Sequence, residues 1–361
     1  FIISAGLILS TIIVYQQMAF IQNKDLGYNK DHILVIREAQ LLGEQRDAFK
    51  NQVLEDPRVK SVSNSSFVPA GPTDINMSGV LRDNEYQRRM FIYNVDEAYI
   101  PTLGLELVAG RNFSKEFGSE KDKVIINETA ANSLGFIKDP IGKTFSRDTE
   151  EGARELTIVG VVKDFHFKSL HRKIDPLILM NNPYGGLIIR TNTADVSTLI
   201  SNIENKWQKF NIKEPFSYTF LDESFNKAYL REQKMGAILS IFTGLTIFVA
   251  CMGLFGLVTF AAERRVREIG IRKVLGSSVP EIIGLLSKDF IKLIFISFII
   301  AFPLGYFLME QWLQDFAYRI EIKWWVFLLA AFLTTLIALL TIGFKSFKAA
   351  TANPIKSLRT E

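Results

Sequence analysis

Residues 235–262 read MGAILSIFTGLTIFVACMGLFGLVTFAA, a run of 28 residues without a charged side chain, and residues 263–276 continue with ERRVREIGIRKVLG. A run of about 20 apolar residues is long enough to cross a bilayer as a helix. An excess of Arg and Lys beside such a run marks its cytoplasmic side. The sequence therefore predicts a membrane protein whose residues 263–276 face the cytoplasm.

The bulk composition indicates a chain divided between membrane and water. Its 361 residues are 48% hydrophobic and 22% charged, with a net charge of +4. This is too apolar for an ordinary soluble domain and too charged for a chain embedded throughout. The basic residues gather beside apolar runs rather than along one stripe, so nucleic acid is not an expected partner. The single cysteine, Cys251, lies in an apolar run and can form neither an intrachain disulfide nor a multi-cysteine metal site.

Four segments are apolar enough to span the membrane, and their flanking charges orient them. The lysine-rich tail at 345–361 indicates the cytoplasm, whereas the loop at 310–323 has mixed charge and suits the outer side. Because spans alternate in direction, residues 22–234 are expected outside. The predicted spans are 1–21, 235–262, 290–309 and 324–344, with a cytoplasmic elbow at 263–289 between the second and the third.

The chain opens with Phe1 inside an apolar run that has no basic segment ahead of it. We therefore expect the first span to be truncated at its start and the chain to be the C-terminal part of a longer polypeptide.

The segment at 22–234 shows the periodicities of a mixed fold of helices and strands. A strand-helix-strand pattern at 33–68 recurs at 186–221. We expect one subdomain to be built from these two patterns and a second, at about 96–180, to be inserted into it. The predicted fold class is thus a membrane protein with four transmembrane α-helices and a large extracytoplasmic α+β domain of two subdomains between helices 1 and 2.

Catalytic and cofactor motifs are not evident. The Gly-Lys-Thr at 142–144 has Ile137 where a phosphate-binding loop needs a glycine. A metal site joining His166, His171 and Asp164 is conceivable on paper, but no metal-ligand spacing supports it, and surface or hydrogen-bonding roles are the favoured interpretation. We expect a non-catalytic chain with no cofactor and no metal.

The elbow is the most informative segment for function. Residues 263–275 are expected to continue the helix of the second span, with Gly276 as its C-terminal cap. Ser278 and Glu281 have the spacing of a capping box, with Pro280 in the first turn of the next helix. Composition alone suits an ordinary positive-inside loop, whereas two capped helices joined by three residues predict a rigid elbow on which a partner can act.

The order of residues in the elbow resembles the cytoplasmic motif of FtsX-like permeases, the membrane subunits of the ABC transporter class that includes the macrolide exporter MacB. Four outer segments look like successive motifs of the MacB-like periplasmic core domain, and the tail resembles the closing segment of such permeases. These segments are LVAGRNF at 107–113, VIINETA at 124–130, DPIGK at 139–143, VGVVKDFH at 159–166 and the tail at 349–358.

The resemblance implies one span, an outer domain and three further spans in the plasma (inner) membrane of a bacterium. It also implies a separate ATPase subunit that binds the elbow and moves the outer domain without passing substrate between the spans. The implied partners further include membrane lipid, a second permease half or second copy, and a periplasmic or outer-membrane protein. The elbow residues carried over as ATPase-coupling are Glu268, Ile269, Gly270, Ile271, Arg272, Lys273 and Gly276, to which we add Leu275 as an apolar anchor.

Two functions are compatible with the predicted topology and the family resemblance. The first is a permease subunit that exports or extracts an envelope substrate by mechanotransmission. The alternative is a non-transporting signalling or regulatory membrane protein that controls a periplasmic hydrolase or senses antimicrobial peptides. They differ in whether substrate moves.

Overall fold

The structure, a computed structural model, describes residues 1–69, 76–82, 85–149, 152–192, 195–210, 214–265, 268, 271–272 and 275–351. It contains two compact units. The membrane unit comprises Phe1–Asn23 and Arg231–Glu361, and the outer unit comprises Lys24–Leu230.

The helices within the described residues are α1 (Ile2–Asn23), α2 (Arg46–Leu54), α3 (Tyr99–Leu103), α4 (Glu128–Ser133), α5 (Val196–Gln208), α6 (Leu221–Ala228), α7 (Leu230–Arg264), α8 (Val279–Leu313) and α9 (Trp324–Thr351). The strands are β1 (Ile33–Ile36), β2 (Val59–Ser65), β3 (Met77–Arg82), β4 (Glu85–Val95), β5 (Leu107–Gly110), β6 (Lys123–Asn127), β7 (Thr144–Thr149), β8 (Gly152–Val162), β9 (Leu177–Asn181), β10 (Gly186–Thr191) and β11 (Thr219–Phe220). Short 3-10 helices occupy Arg37–Gln45 and Lys115–Phe117.

Within the described residues, four helices are long and apolar enough to cross a membrane, which confirms the predicted multi-pass fold. The apolar stretches are Ile2–Asn23, Leu230–Arg264, Ser287–Leu313 and Trp324–Phe344. The helices extend past the predicted spans because the flanking Glu, Lys, Arg and Gln residues are good helix formers.

The helices of the membrane unit are buried to different extents. In the most apolar window of α1, 44% of the residues are buried inside the unit, compared with 11% for α7. Leu9, Ile13 and Val14 of α1 pack with Leu313 and Val326 at the outer ends of α8 and α9. α1 is therefore the most buried of the four spans, and most of α7 is exposed on the surface of this chain.

Gln17 is a fully buried polar residue of α1. Its Nε2 donates to the carbonyl oxygen of Tyr318 at 3.0 Å, and its Oε1 accepts from the N–H of Ile320 at 2.9 Å. One side chain thus satisfies two backbone groups of the loop between α8 and α9 and fixes that loop on α1.

The outer unit is organised around one sheet in the order β11-β1-β10-β2-β4-β3-β7-β8-β6-β9. An additional parallel pairing of β4 with β9 closes the last six strands into a ring, and β5 lies on β8. β2 and β4 are paired only at Ser65 and Val95. The sheet therefore consists of two strand clusters that meet at a narrow junction.

Each strand cluster has its own hydrophobic core. The first is covered by α2 and α5, with Phe49, Leu199 and Trp207 packed on the strands. The second core fills the ring and includes Val80 and Ile92. The second cluster thus takes in β3 and β4 and begins near residue 77, earlier than the segment expected from about residue 96, because these strands pair with β7 and β9.

Two of the family-like motifs meet at the ends of β6 and β8. The carboxylate of Asp164 accepts from Asn127 Nδ2 at 2.8 Å and from the hydroxyl of Thr129 at 2.6 Å. Asn127 Oδ1 in turn accepts from the N–H groups of Ala130 and Leu177. These contacts tie two parallel strands to the start of α4, so the motifs have a structural role in this unit.

Asp96 is a buried carboxylate beside the narrow junction, with 2% of its surface exposed. It accepts from Lys50 Nζ at 2.6 Å, from the Ser63 hydroxyl at 2.7 Å and from the backbone N–H groups of Asn64 and Ala98. The network connects α2 and β2 of the first cluster to the turn that follows β4.

Candidate functional site

The elbow begins where α7 ends, at Arg264. This corrects the expectation that the helix continues to Leu275. Arg265 forms a turn, and its N–H is shared between the carbonyl oxygens of Ala261 and Ala262 at 3.2 and 3.1 Å. Such sharing is common where a helix tightens at its last turn.

Gly276 ends a second helical segment, as the sequence predicted. Leu275 N–H donates to Ile271 O at 3.0 Å, and Ser277 N–H donates to Arg272 O at 2.9 Å. Gly276 itself has a φ of +93°, in the left-handed region that favours glycine. This is the hydrogen-bond pattern of a Schellman C-cap.

The next helix starts immediately and is also capped. Glu281 accepts from the N–H of Ser278 at 3.1 Å, which is one half of the predicted capping box, and Pro280 lies in the first turn of α8. Only three residues, Gly276 to Ser278, separate the two helical segments. The backbone of the turn is therefore fixed from both sides.

An ion pair connects α8 to the end of α7. Arg265 Nη2 lies 3.3 Å from Asp289 Oδ2, and the two residues are 24 positions apart in the sequence. A second pair, Arg272 to Glu268 at 2.9 Å, joins successive turns of the short segment. Both pairs are partly exposed and contribute little stability individually, but the first is a direct restraint on the angle of the elbow.

The elbow presents apolar side chains to solvent. Ile271 is 51% exposed and Leu275 is 80% exposed, and Arg272 lies between them with its side chain 48% exposed. Apolar residues beside charged ones are the composition of a protein interface, in which the apolar residues anchor the partner and the charges surround them. Ile269, Gly270 and Lys273, which the sequence also predicted, lie outside the described residues.

The structure gives other roles to residues considered for metal binding. Asp164 is bound by Asn127 and Thr129, as described above, and His171 Nδ1 lies 2.7 Å from the hydroxyl of Ser169. Burial is the main cause that lowers the pKa of His166, which favours its neutral form. Within the part of the chain that the structure describes, no group of three His, Cys, Asp or Glu residues is placed to hold a metal ion.

The Arg265–Asp289 pair was not predicted from the sequence. The sequence does contain opposite charges at similar distances on the two sides of the short capped turn. Local patterns do not show which of several charges pair across a turn, however, so only the folded arrangement identifies these two.

Comparison with protein families matches both parts of the chain. Residues 2–209 match the family described as MacB-like periplasmic core domain, and residues 240–354 match the family described as FtsX-like permease C-terminal.

Curated relatives are similar over much of this chain at low identity. A probable syringafactin export ATP-binding/permease protein, SyfD of Pseudomonas syringae pv. syringae (strain B728a), is 20% identical over 85% of this chain and 48% of its own length. The macrolide export ATP-binding/permease protein MacB of Aggregatibacter actinomycetemcomitans is 21% identical over 63% of this chain and 36% of its own length. The chain thus spans about half, or less, of the length of these relatives.

Two solved structures are also similar. The periplasmic region of MacB from Actinobacillus actinomycetemcomitans aligns with 57% of this chain and 97% of that one, at 14% identity and a TM-score of 0.41. The extracellular domain of the noncanonic ABC-type transporter YknZ from Gram-positive bacteria aligns with 56% of this chain and 94% of that one, at 15% identity and a TM-score of 0.36.

Proposed function

The chain belongs to the FtsX-like ABC transporter permeases that carry a MacB-like periplasmic core domain, and from this membership we propose that it transmits force from an ATPase to the outer unit. In this proposal the ATPase docks on the elbow at residues 268–276. ATP-driven movement of the elbow then displaces the helices attached to the outer unit. In this division of labour the ATPase hydrolyses ATP, and this chain performs no catalysis.

The exposed pair Ile271 and Leu275 is the observation that carries the proposal. These side chains lie on a short segment that Gly276 caps at its C-terminal end, after the second span. A partner that covers these exposed apolar side chains removes them from water, which favours the complex. Arg272, and Lys273 next to it in the sequence, are positively charged and would steer an acidic partner surface.

The helices that flank the elbow suit the transmission of force. α7 is continuous from Leu230, the last residue of the outer unit, to Arg264 at the start of the elbow. At about 1.5 Å per residue its 35 residues extend about 52 Å, which exceeds the thickness of the bilayer. The Arg265–Asp289 pair links this helix to α8, so a load on the elbow reaches two spans together.

The names of the relatives are the basis for the substrate class that we propose. Their names assign export of syringafactin to SyfD and of macrolides to MacB. We propose for this chain an amphiphilic envelope substrate, moved from the inner membrane of a bacterium. A second permease half or a second copy of this chain would complete the working unit, and a periplasmic or outer-membrane protein would receive the substrate.

Photo-crosslinking from the elbow tests the docking site. A photoreactive amino acid at position 275, in cells that make the native complex, should yield a product in which mass spectrometry identifies an ABC ATPase. The matched control is position 137, because Ile137 is also apolar and 73% exposed but lies in the outer unit. An ATPase crosslink from 275 and none from 137 supports the site. Equal yields, or no ATPase at 275, would refute it.

Substrate movement is tested separately. The purified complex is reconstituted in vesicles and release of an amphiphilic substrate on ATP addition is measured. ATP-dependent crosslinking without substrate release would favour the signalling or regulatory alternative over export.

A further inference from the structure

The outer unit contains a cavity of about 410 Å³ beside the junction of its two strand clusters. Its walls come from the ends of neighbouring strands, with Arg37 following β1, Ser65 ending β2, Asn94 on β4 and Gly186 starting β10. This volume falls within the range of about 300–1,000 Å³ that is usual for ligand sites.

Two glycines allow these strand ends to approach closely. A Cβ on Gly185, whose φ is +103°, would lie 2.3 Å from Ser65 O, and one on Gly186 would lie 2.7 Å from Ile36 O. The turn before them is held by Arg46, whose Nη2 donates to Pro183 O at 2.7 Å. The wall made by this turn is therefore built into the fold.

Several polar side chains of the cavity have no partner within the described residues and are available to a ligand. Within the described residues, the half-buried guanidinium of Arg37 makes no hydrogen bond or ion pair, and no acidic residue lines the cavity. The side-chain amides of Gln40, Asn76 and Asn94 also line it without a side-chain hydrogen bond to another described residue. A guanidinium is always charged and its planar fork matches a carboxylate, so this wall is suited to an organic anion with further hydrogen-bonding groups.

Aromatic rings form the apolar part of the cavity wall. Phe67 and Tyr93 both line the cavity and stack on each other with centroids 4.0 Å apart. Tyr184, which is 55% exposed, lies on the rim. Aromatic rings beside the Arg37 guanidinium and several amides match a ligand with one anionic end, an apolar group and amide bonds.

We propose that this cavity binds the C-terminal end of a peptide. The terminal carboxylate pairs with Arg37, the last amide groups bond to Gln40 and Asn94, and the last side chain packs on the ring of Phe67 or Tyr184. A ligand there also contacts β2 and β4, and therefore braces the two strand clusters against each other. The site is independent of ATPase docking, since it is formed within the outer unit.

The test compares two probes on the purified full chain in detergent. Acetyl-Ser-Gly-Phe with a free carboxylate is titrated by saturation-transfer NMR, and the same peptide with a C-terminal amide is the matched control. The free acid should bind at least tenfold more tightly than the amide. Arg37→Gln should remove this difference, Arg37→Lys should retain most of it, and Arg172→Gln, at an exposed arginine elsewhere in the outer unit, should leave it unchanged.

Gln40→Ala changes an exposed position and is therefore not expected to disturb folding. It should weaken binding of the free-acid peptide several-fold and leave the circular dichroism spectrum unchanged. Equal affinity for acid and amide, or an Arg37→Gln variant that is folded and binds normally, overturns the proposal. Arg37-dependent binding of inorganic phosphate without binding of the peptide overturns the assignment of the ligand. Loss of ATPase crosslinking at the elbow would not alter any of these outcomes.

Discussion

The exposure of the two elbow anchors predicts the order and size of their contributions to ATPase affinity. Fully burying a Leu or Ile side chain is worth about 1.5–3 kcal/mol. Leu275 is 80% exposed and can therefore gain about 1.2–2.4 kcal/mol on docking, whereas Ile271, at 51%, can gain about 0.8–1.5 kcal/mol. Leu275→Ala should thus weaken binding by about 8–60-fold and Ile271→Ala by about 4–13-fold.

The assay is biolayer interferometry with the ATPase identified by crosslinking and the detergent-solubilised chain. Ile137→Ala is the matched control, since it removes an equally exposed apolar side chain from the outer unit and should leave the dissociation constant unchanged. The proposed anchoring role is refuted if Leu275→Ala stays within twofold of the unmodified chain. It is also refuted if Ile271→Ala has the larger effect, because the ranking rests only on exposure.

The remaining predictions concern topology, coupling and stability. On a background without the native cysteine, a cysteine at Asn182 should react with a membrane-impermeant thiol reagent in intact spheroplasts and one at Ser277 only after the membrane is opened; the reverse pattern contradicts the orientation. Two glycines inserted after Gly276 should preserve ATPase copurification and abolish ATP-dependent substrate release, whereas near-normal release would show that the elbow is a passive loop. Asp96→Ala leaves Lys50 without its partner and should lower the free energy of unfolding of the outer unit by about 3–5 kcal/mol in urea denaturation; a loss below about 1 kcal/mol would contradict the role of this network.

The sequence predicted those features that depend on local pattern. The spans were predictable because a charge inside the bilayer is costly, so their interiors are free of charge. The cap at Gly276 and the capping-box residues Ser278 and Glu281 were predictable because helix termini leave backbone groups unsatisfied and few residue types satisfy them.

Features that depend on distant pairing were not predicted. The hairpin of β3 and β4 lies in a stretch with weak alternation, since Arg88 and Arg89 interrupt its apolar residues, and its place is set by pairing with β7 and β9. The contacts of Asp96 with Lys50 and Ser63 likewise join residues 33–46 positions apart. No local period encodes such partners, so the polar networks and the cavity beside Arg37 emerge only from the folded chain.

The bonds of Gln17 to the loop at Tyr318 and Ile320 have a consequence for biogenesis. The backbone partners of residue 17 are synthesised about 300 residues after it. Until α8, α9 and the loop between them are in place, the amide of Gln17 lacks these two partners, and a buried amide without hydrogen bonds is costly. Completion of the bundle thus satisfies a polar group that a chain ending before α8 would leave without these bonds.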